Sequence, residues 1–122
     1  MLMFTAVEAP NGIVESDWQP TPALASLADD LRLLGDPRRL TLVALLAKQE
    51  RCVCEFQDLL NWPQNLISHH LGALRRAGFV ATRRQAQWIY YSLVPDRLAR
   101  VGSLLGSLVE SQPLPVVTCC PS

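Results

Sequence analysis

The feature that most constrains this chain is a change of hydrophobic period at Gly78. Before it, Ile67, Leu71 and Leu74 recur at spacings of four and three. At about 100° per residue, that pattern lays one apolar stripe along a helix. Beyond the glycine, residues 79–84 and 88–93 are rich in β-branched and aromatic side chains and read as two strands joined through Gln85-Ala86-Gln87. Upstream, residues 53–60 form a short helical stretch, and Asn61-Trp62-Pro63 is a tight turn from which a new helix starts at Pro63. Two helices across a tight turn, closed by a hairpin, predict a mainly α fold with a β-hairpin wing, the winged helix-turn-helix.

The flanking segments fit that frame. Thr21-Pro22 has the form of an N-cap and first helical residue, and Leu24, Leu27, Leu31 and Leu34 repeat behind it. Gly35 ends that helix and Asp36-Pro37 opens a second, with Leu40, Val43, Leu46 and Ala47 expected on its inner face and a stop near Gln49. Residues 48–51 read as a polar turn. Pro95 begins a last helix striped by Leu98, Val101, Leu105 and Leu108, in which Gly102 and Gly106 admit close approach of another helix. With 122 residues and 49% apolar content, one domain is expected, over residues 21–110. Residues 1–20, aperiodic and broken by Pro10, Gly12 and Pro20, predict a flexible arm, and residues 111–122 an extended tail after Pro113 and Pro115.

Eleven basic and eleven acidic residues cancel, so global charge indicates no partner. The distribution is informative. The first thirty residues hold five acids and no Lys or Arg, whereas residues 61–100 hold six arginines against Asp96 alone, a local field that attracts phosphate. The outward face of the 64–76 helix pairs short polar side chains with flanking cations. Gln64 and Asn65 suit bidentate pairing with adenine, Ser68 and His69 reach base edges or phosphates, and Arg75 and Arg76 suit phosphates. Arg83 or Arg84 on the wing is expected in the adjacent minor groove. The competing reading of this face, an ordinary solvated helix surface, is disfavoured by the order of elements around it. His69 and His70 point about 100° apart and lack a neighbouring acid or cysteine, so a metal site there is discounted and His70 is expected as a packed, hydrogen-bonded residue. No run approaches a membrane span and no signal peptide is recognisable, so a cytoplasmic protein without membrane contact is expected.

The four cysteines fall in two close pairs, Cys52/Cys54 and Cys119/Cys120. In a reducing compartment such pairs suit metal binding or redox chemistry better than structural disulfides, and soft thiolates select soft or borderline ions. On an intact helix Cys52 and Cys54 would lie about 200° apart, so sharing one ion requires a distorted helix start. Adjacent Cys119 and Cys120 cannot form an unstrained disulfide, and the tail is long enough to carry them to the Cys-X-Cys of their own or a partner subunit. Inert buried cysteines are the alternative for the first pair, and incidental tail thiols for the second.

The run Arg51-Cys-Val-Cys-Glu-Phe, then Gln64-Asn-Leu-Ile-Ser-His-His-Leu-Gly-Ala-Leu-Arg-Arg-Ala-Gly-Phe-Val, then Trp88-Ile-Tyr-Tyr-Ser-Leu resembles the ArsR/SmtB family of metalloregulatory repressors over roughly residues 22–110. The Cys-Val-Cys followed by an acid is similar to the inducer site of the family's arsenic-responsive and cadmium/lead-responsive branches. The resemblance implies no enzyme but a homodimer, paired through its first and last helices, that binds a palindromic double-stranded operator and leaves it on binding an inducer. Where arsenic-responsive members carry a third cysteine, this chain has Gln57, so As(III) or Sb(III) would need Cys119 or Cys120 as third thiolate. A Cd(II)/Pb(II) or zinc site of four thiolates and a thiol redox switch are the alternatives. The final helix has no His, which argues against the family's zinc site on that helix. Family members commonly place glycine at the wing tip, where this chain has Gln85-Ala86-Gln87.

Overall fold

In a computed structural model of the chain, which describes residues 19–110, five helices pack with a small antiparallel sheet. Residues 1–18 of the arm and the whole tail, Cys119 and Cys120 included, lie outside the described residues. Helix α1 (Pro22–Leu34) is capped by the Thr21 hydroxyl, which accepts from the Leu24 amide at 3.2 Å. Helix α2 (Pro37–Leu46) is capped by Asp36, whose carboxylate accepts from the Arg38 amide at 2.8 Å. Both caps stand where an acceptor side chain precedes a proline at the first helical position. Helix α2 ends three residues before the expected Gln49, and its inner face is shifted. Leu42, Val43 and Leu46 are buried, whereas Leu40 is 49% exposed. Ala47, also expected on the inner face, is the C-cap and is exposed.

The expected polar turn over residues 48–51 ends instead in a two-residue strand, β1 (Arg51–Cys52). It is followed by α3 (Val53–Leu60), which ends at Asn61 in the left-handed conformation (φ 57°), a state asparagine tolerates well. Pro63 is the N-cap of α4 (Gln64–Arg76), not its first residue. Helix α4 ends through Gly78 at φ 87°, and the Phe79 amide donates back to the Leu74 carbonyl at 3.0 Å. This is a glycine stop in which an L side chain would be strained.

Strands β2 (Val80–Gln85) and β3 (Trp88–Leu93) form the wing, in register Val80↔Leu93 to Gln85↔Trp88. The hairpin loop is therefore only Ala86-Gln87, and Ala86 takes φ 55° where glycine would be unstrained. Sheet order is β1-β3-β2, so β3 is central and β1 pairs Arg51↔Tyr91 and Cys52↔Tyr90. The chain closes with α5 (Pro95–Glu110).

One apolar core joins these elements: Leu27 and Leu34 from α1, Leu42 and Leu46 from α2, Phe56 from α3, Ile67, Leu71 and Leu74 from α4, then Phe79, Val80 and Val101. Phe56, Ile67, Leu71 and Leu74 are fully buried, which fixes α3 against α4. A second fastener is ionic. Arg97 at the start of α5 donates to both carboxylate oxygens of Asp30 in α1 (2.8 and 3.0 Å) and to the Ala77 carbonyl at 3.2 Å, and its guanidinium lies 4.3 Å from the Phe79 ring centre. The carboxylate's hydrogen bonds raise the Arg97 pKa. Arg97, one of the six cations in the basic region, is thus committed to the fold and does not face solvent as a free charge.

Candidate nucleic-acid interface and thiol site

The inward stripe of α4 leaves the opposite face to solvent. Gln64, Asn65, Ser68, His69, Arg75 and Arg76 are all exposed. At 100° per residue they span an arc of about 140°, turned away from Ile67, Leu71 and Leu74. Short polar groups at the helix start and two arginines at its end are what a helix entering a major groove presents.

His70 faces inward and is buried. Its Nδ1 accepts from Arg39 Nε at 3.1 Å, and Arg39 also donates to the Leu33 carbonyl at 3.3 Å, so one arginine of α2 ties α4 to the end of α1. Because Nδ1 accepts, the proton of the neutral ring sits on Nε2, which has no hydrogen-bond partner among the described residues. Burial is the main cause that pushes the His70 pKa down; Arg39, His69 and Arg38 act in the same direction and Asp36 opposes them.

On the wing, Arg84 is exposed, with Nε 3.4 Å from the Ala86 carbonyl oxygen. Arg83 is engaged elsewhere. Its Nε lies 3.1 and 3.0 Å from the two Glu50 oxygens, Nη2 also pairs with Glu50 Oε1, and Nη1 donates to Gln85 at 2.7 Å. The guanidinium also lies 4.7 Å from the Tyr90 ring centre. Sequence spacing gave no sign of Glu50, because its approach to Arg83 depends on the pairing of β1 with β3.

The structure revises the local geometry of the first cysteine pair. Cys52 is not on the helix: it ends β1 in an extended conformation (φ −90°, ψ 168°) and is the N-cap of α3, while Cys54 sits in the first turn. The change from extended to helical backbone brings the two side chains together without unwinding the helix, and they are joined as a disulfide with Cα atoms 5.4 Å apart. The Cys52 amide donates to Glu55 Oε1 at 2.9 Å, which holds the corner in place. Cys52 is buried and Cys54 exposed. Both border a cleft of about 470 Å³ whose other walls include Gln57, Gln64, Ser68 and Trp88. Thiol pair, helix face and wing therefore share one cavity.

In their reduced form the two sulfurs suit a bidentate hold on a soft ion. Among the described residues no group of three or more His, Cys, Asp or Glu is placed to hold a metal. Gln57 lines the cleft but offers no thiolate. Among residues 19–110 of the chain, Cys52 and Cys54 are the only thiols.

A helix-turn-helix with a basic, polar recognition face and a hairpin wing defines a DNA-binding regulator. The chain matches the family model "Bacterial regulatory protein, arsR family" over residues 36–82. It is 40% identical over 82 residues to an uncharacterized HTH-type transcriptional regulator, MJ1325, of Methanocaldococcus jannaschii, a match covering 66% of this chain and 92% of that one. It is 38% identical over 103 residues to the arsenic resistance transcriptional regulator ArsR1 of Pseudomonas putida, covering 84% and 75%. Among solved structures it superposes with a TM-score of 0.59 and 26% identity, over 80% of this chain and 93% of the other, on the homodimeric winged helix-turn-helix DNA-binding domain of Mb0332 from Mycobacterium bovis. The chain belongs to the ArsR/SmtB family of transcriptional repressors, DNA-binding regulators and not enzymes. No helix among the described residues is long and apolar enough to cross a membrane.

Proposed function

We propose that this repressor leaves its operator when trivalent arsenic or antimony is captured by Cys52 and Cys54 together with a thiolate of Cys119 or Cys120. The observation that carries the reading is the meeting of Cys52 and Cys54 in the wall of a cleft shared with Gln64 and Ser68 of the recognition face and with Trp88 of the wing. When bound, the ion takes thiolates in place of its hydroxide ligands, each exchange releasing one water. The protein's part is geometric. Cys52 is at once a ladder partner of Tyr90 in the wing and the N-cap of the helix packed on α4, so any shift of its sulfur is felt by both DNA-reading elements. The partial positive charge at a helix start also favours thiolates there.

On the DNA side, Gln64, Asn65, Ser68 and His69 read base edges while Arg75, Arg76, Arg83 and Arg84 contact phosphate or the minor groove. The working unit is a homodimer on a palindromic operator. An apolar groove between α1 and α5, lined by Leu31, Leu34, Leu40, Leu98, Val101 and Leu105, supports pairing there. A Cβ at Gly102 or Gly106 would meet nothing within 4 Å, so both positions are open to a neighbouring helix.

The test is X-ray absorption at the arsenic edge on the arsenite-loaded, reduced protein. Three sulfur neighbours are expected, falling to two when Cys119 and Cys120 are both replaced by Ser. An unchanged count of three would remove the tail from the site. The disulfide favours a second reading, in which peroxide oxidises the two thiols to Cys52–Cys54 with release of two waters. Loss of DNA binding on adding peroxide in metal-free buffer, with no response to arsenite, would select it.

A further inference from the structure

In the sheet register Cys52 pairs with Tyr90 and Tyr90 with Arg83, so the three residues form one row on one face, running from the thiol site to the wing. Glu50, two residues before Cys52, closes that row by holding Arg83 with both carboxylate oxygens. Glu50, Arg83, Tyr90, Cys52 and Cys54 border one surface pocket of about 410 Å³. The Arg83 and Glu50 side chains are 50% and 38% exposed, so the pair is reachable from solvent and is not needed to seal the core. A guanidinium bound at two oxygens of a carboxylate is already in the geometry it would use on a phosphate.

We propose that Glu50 is a positioning residue that masks the wing cation Arg83 in the free repressor, and that Arg83 exchanges this carboxylate for a DNA phosphate on binding. The inference rests on the reading of the wing as a DNA contact. It makes Glu50 an internal competitor of the operator, placed where movement of Cys52 changes its grip. An exposed ion pair is weak enough to be exchanged, and phosphate attraction does not depend on sequence, so a random-sequence duplex is a sufficient probe.

The experiment is a double-mutant cycle on the full chain under reducing conditions: wild type, Glu50→Gln, Arg83→Gln and the double variant, each titrated with that duplex over a range of salt. Glu50→Gln is expected to bind about two- to fivefold more tightly per bound chain, the worth of one exposed ion pair. Arg83→Gln is expected to weaken binding and lower the salt slope by about 0.9 for each phosphate it leaves unneutralised. In the Arg83→Gln background the Glu50→Gln gain should vanish. Glu50→Asp, which keeps the charge but shortens the reach, should reproduce the gain.

An equal gain from Glu50→Gln with and without Arg83, and none from Glu50→Asp, would show general charge repulsion and overturn the proposal. So would a loss of affinity in Glu50→Gln at unchanged melting temperature. Failure of the wild type to show any salt-dependent DNA binding would instead overturn the reading beneath it.

Discussion

Ala86 occupies a backbone state that costs an alanine free energy and a glycine almost none. Ala86→Gly is therefore expected to stabilise the chain by about 0.5–1 kcal/mol, read as a shift in urea midpoint at unchanged slope. His70 gives the residue scale its pH dependence. The fold buries the neutral ring and lowers its pKa from the unfolded 6.5. The unfolded chain thus binds the proton more readily, so the stability contributed by the neutral ring is complete above pH 6.5 and is lost as pH falls from there towards the lowered folded value. Protonation would also place a charge against Arg39 and end the hydrogen bond from it. Urea midpoints measured from pH 8 to pH 5 should fall most steeply below 6.5, and His70→Asn, which keeps an acceptor for Arg39, should flatten that fall. The inward placement of His70 was legible from the helical period, but Arg39 as its partner was not, since 31 residues separate them and no local pattern joins them.

At the scale of elements, helix α4 and the wing were readable because each has enough residues to show its period. Strand β1 has two residues and no period to show. Helical spacing without β1 sets Cys52 and Cys54 about 200° apart, whereas their close approach follows from an ordinary strand-to-helix corner. The same gap hid Glu50 beside Arg83. The Asp30–Arg97 pair was hidden for another reason: it spans 67 residues, and charge counting assigned Arg97 to the phosphate-attracting set. Asp30→Ala is expected to cost about 2–3 kcal/mol, between the limits for exposed and buried pairs, because it leaves a half-buried guanidinium short of its carboxylate. Phe56→Ala, which empties a fully buried site between α3 and α4, should cost about 3–5 kcal/mol. Both follow from denaturant unfolding of the reduced protein.

For the molecule as a whole, the proposed homodimer would cover the exposed leucines of α1 and α5. Leu24, Leu31 and Leu105 are 39–42% exposed along with the open glycine positions. Leu105→Glu is expected to convert dimers to monomers in sedimentation equilibrium and to weaken operator binding far more than it lowers the melting temperature of the monomer. A dimer carries two recognition helices spaced by about one turn of DNA, near 34 Å, and couples two thiol sites to them. The central claim is that thiol capture at Cys52 and Cys54 empties the operator. Its most direct measurement is fluorescence anisotropy of operator-bound repressor titrated with arsenite under reducing conditions, in wild type and Cys54→Ser. Wild type should release DNA at near-stoichiometric arsenite while Cys54→Ser binds DNA as tightly and keeps it. Equal release from both proteins would contradict the account.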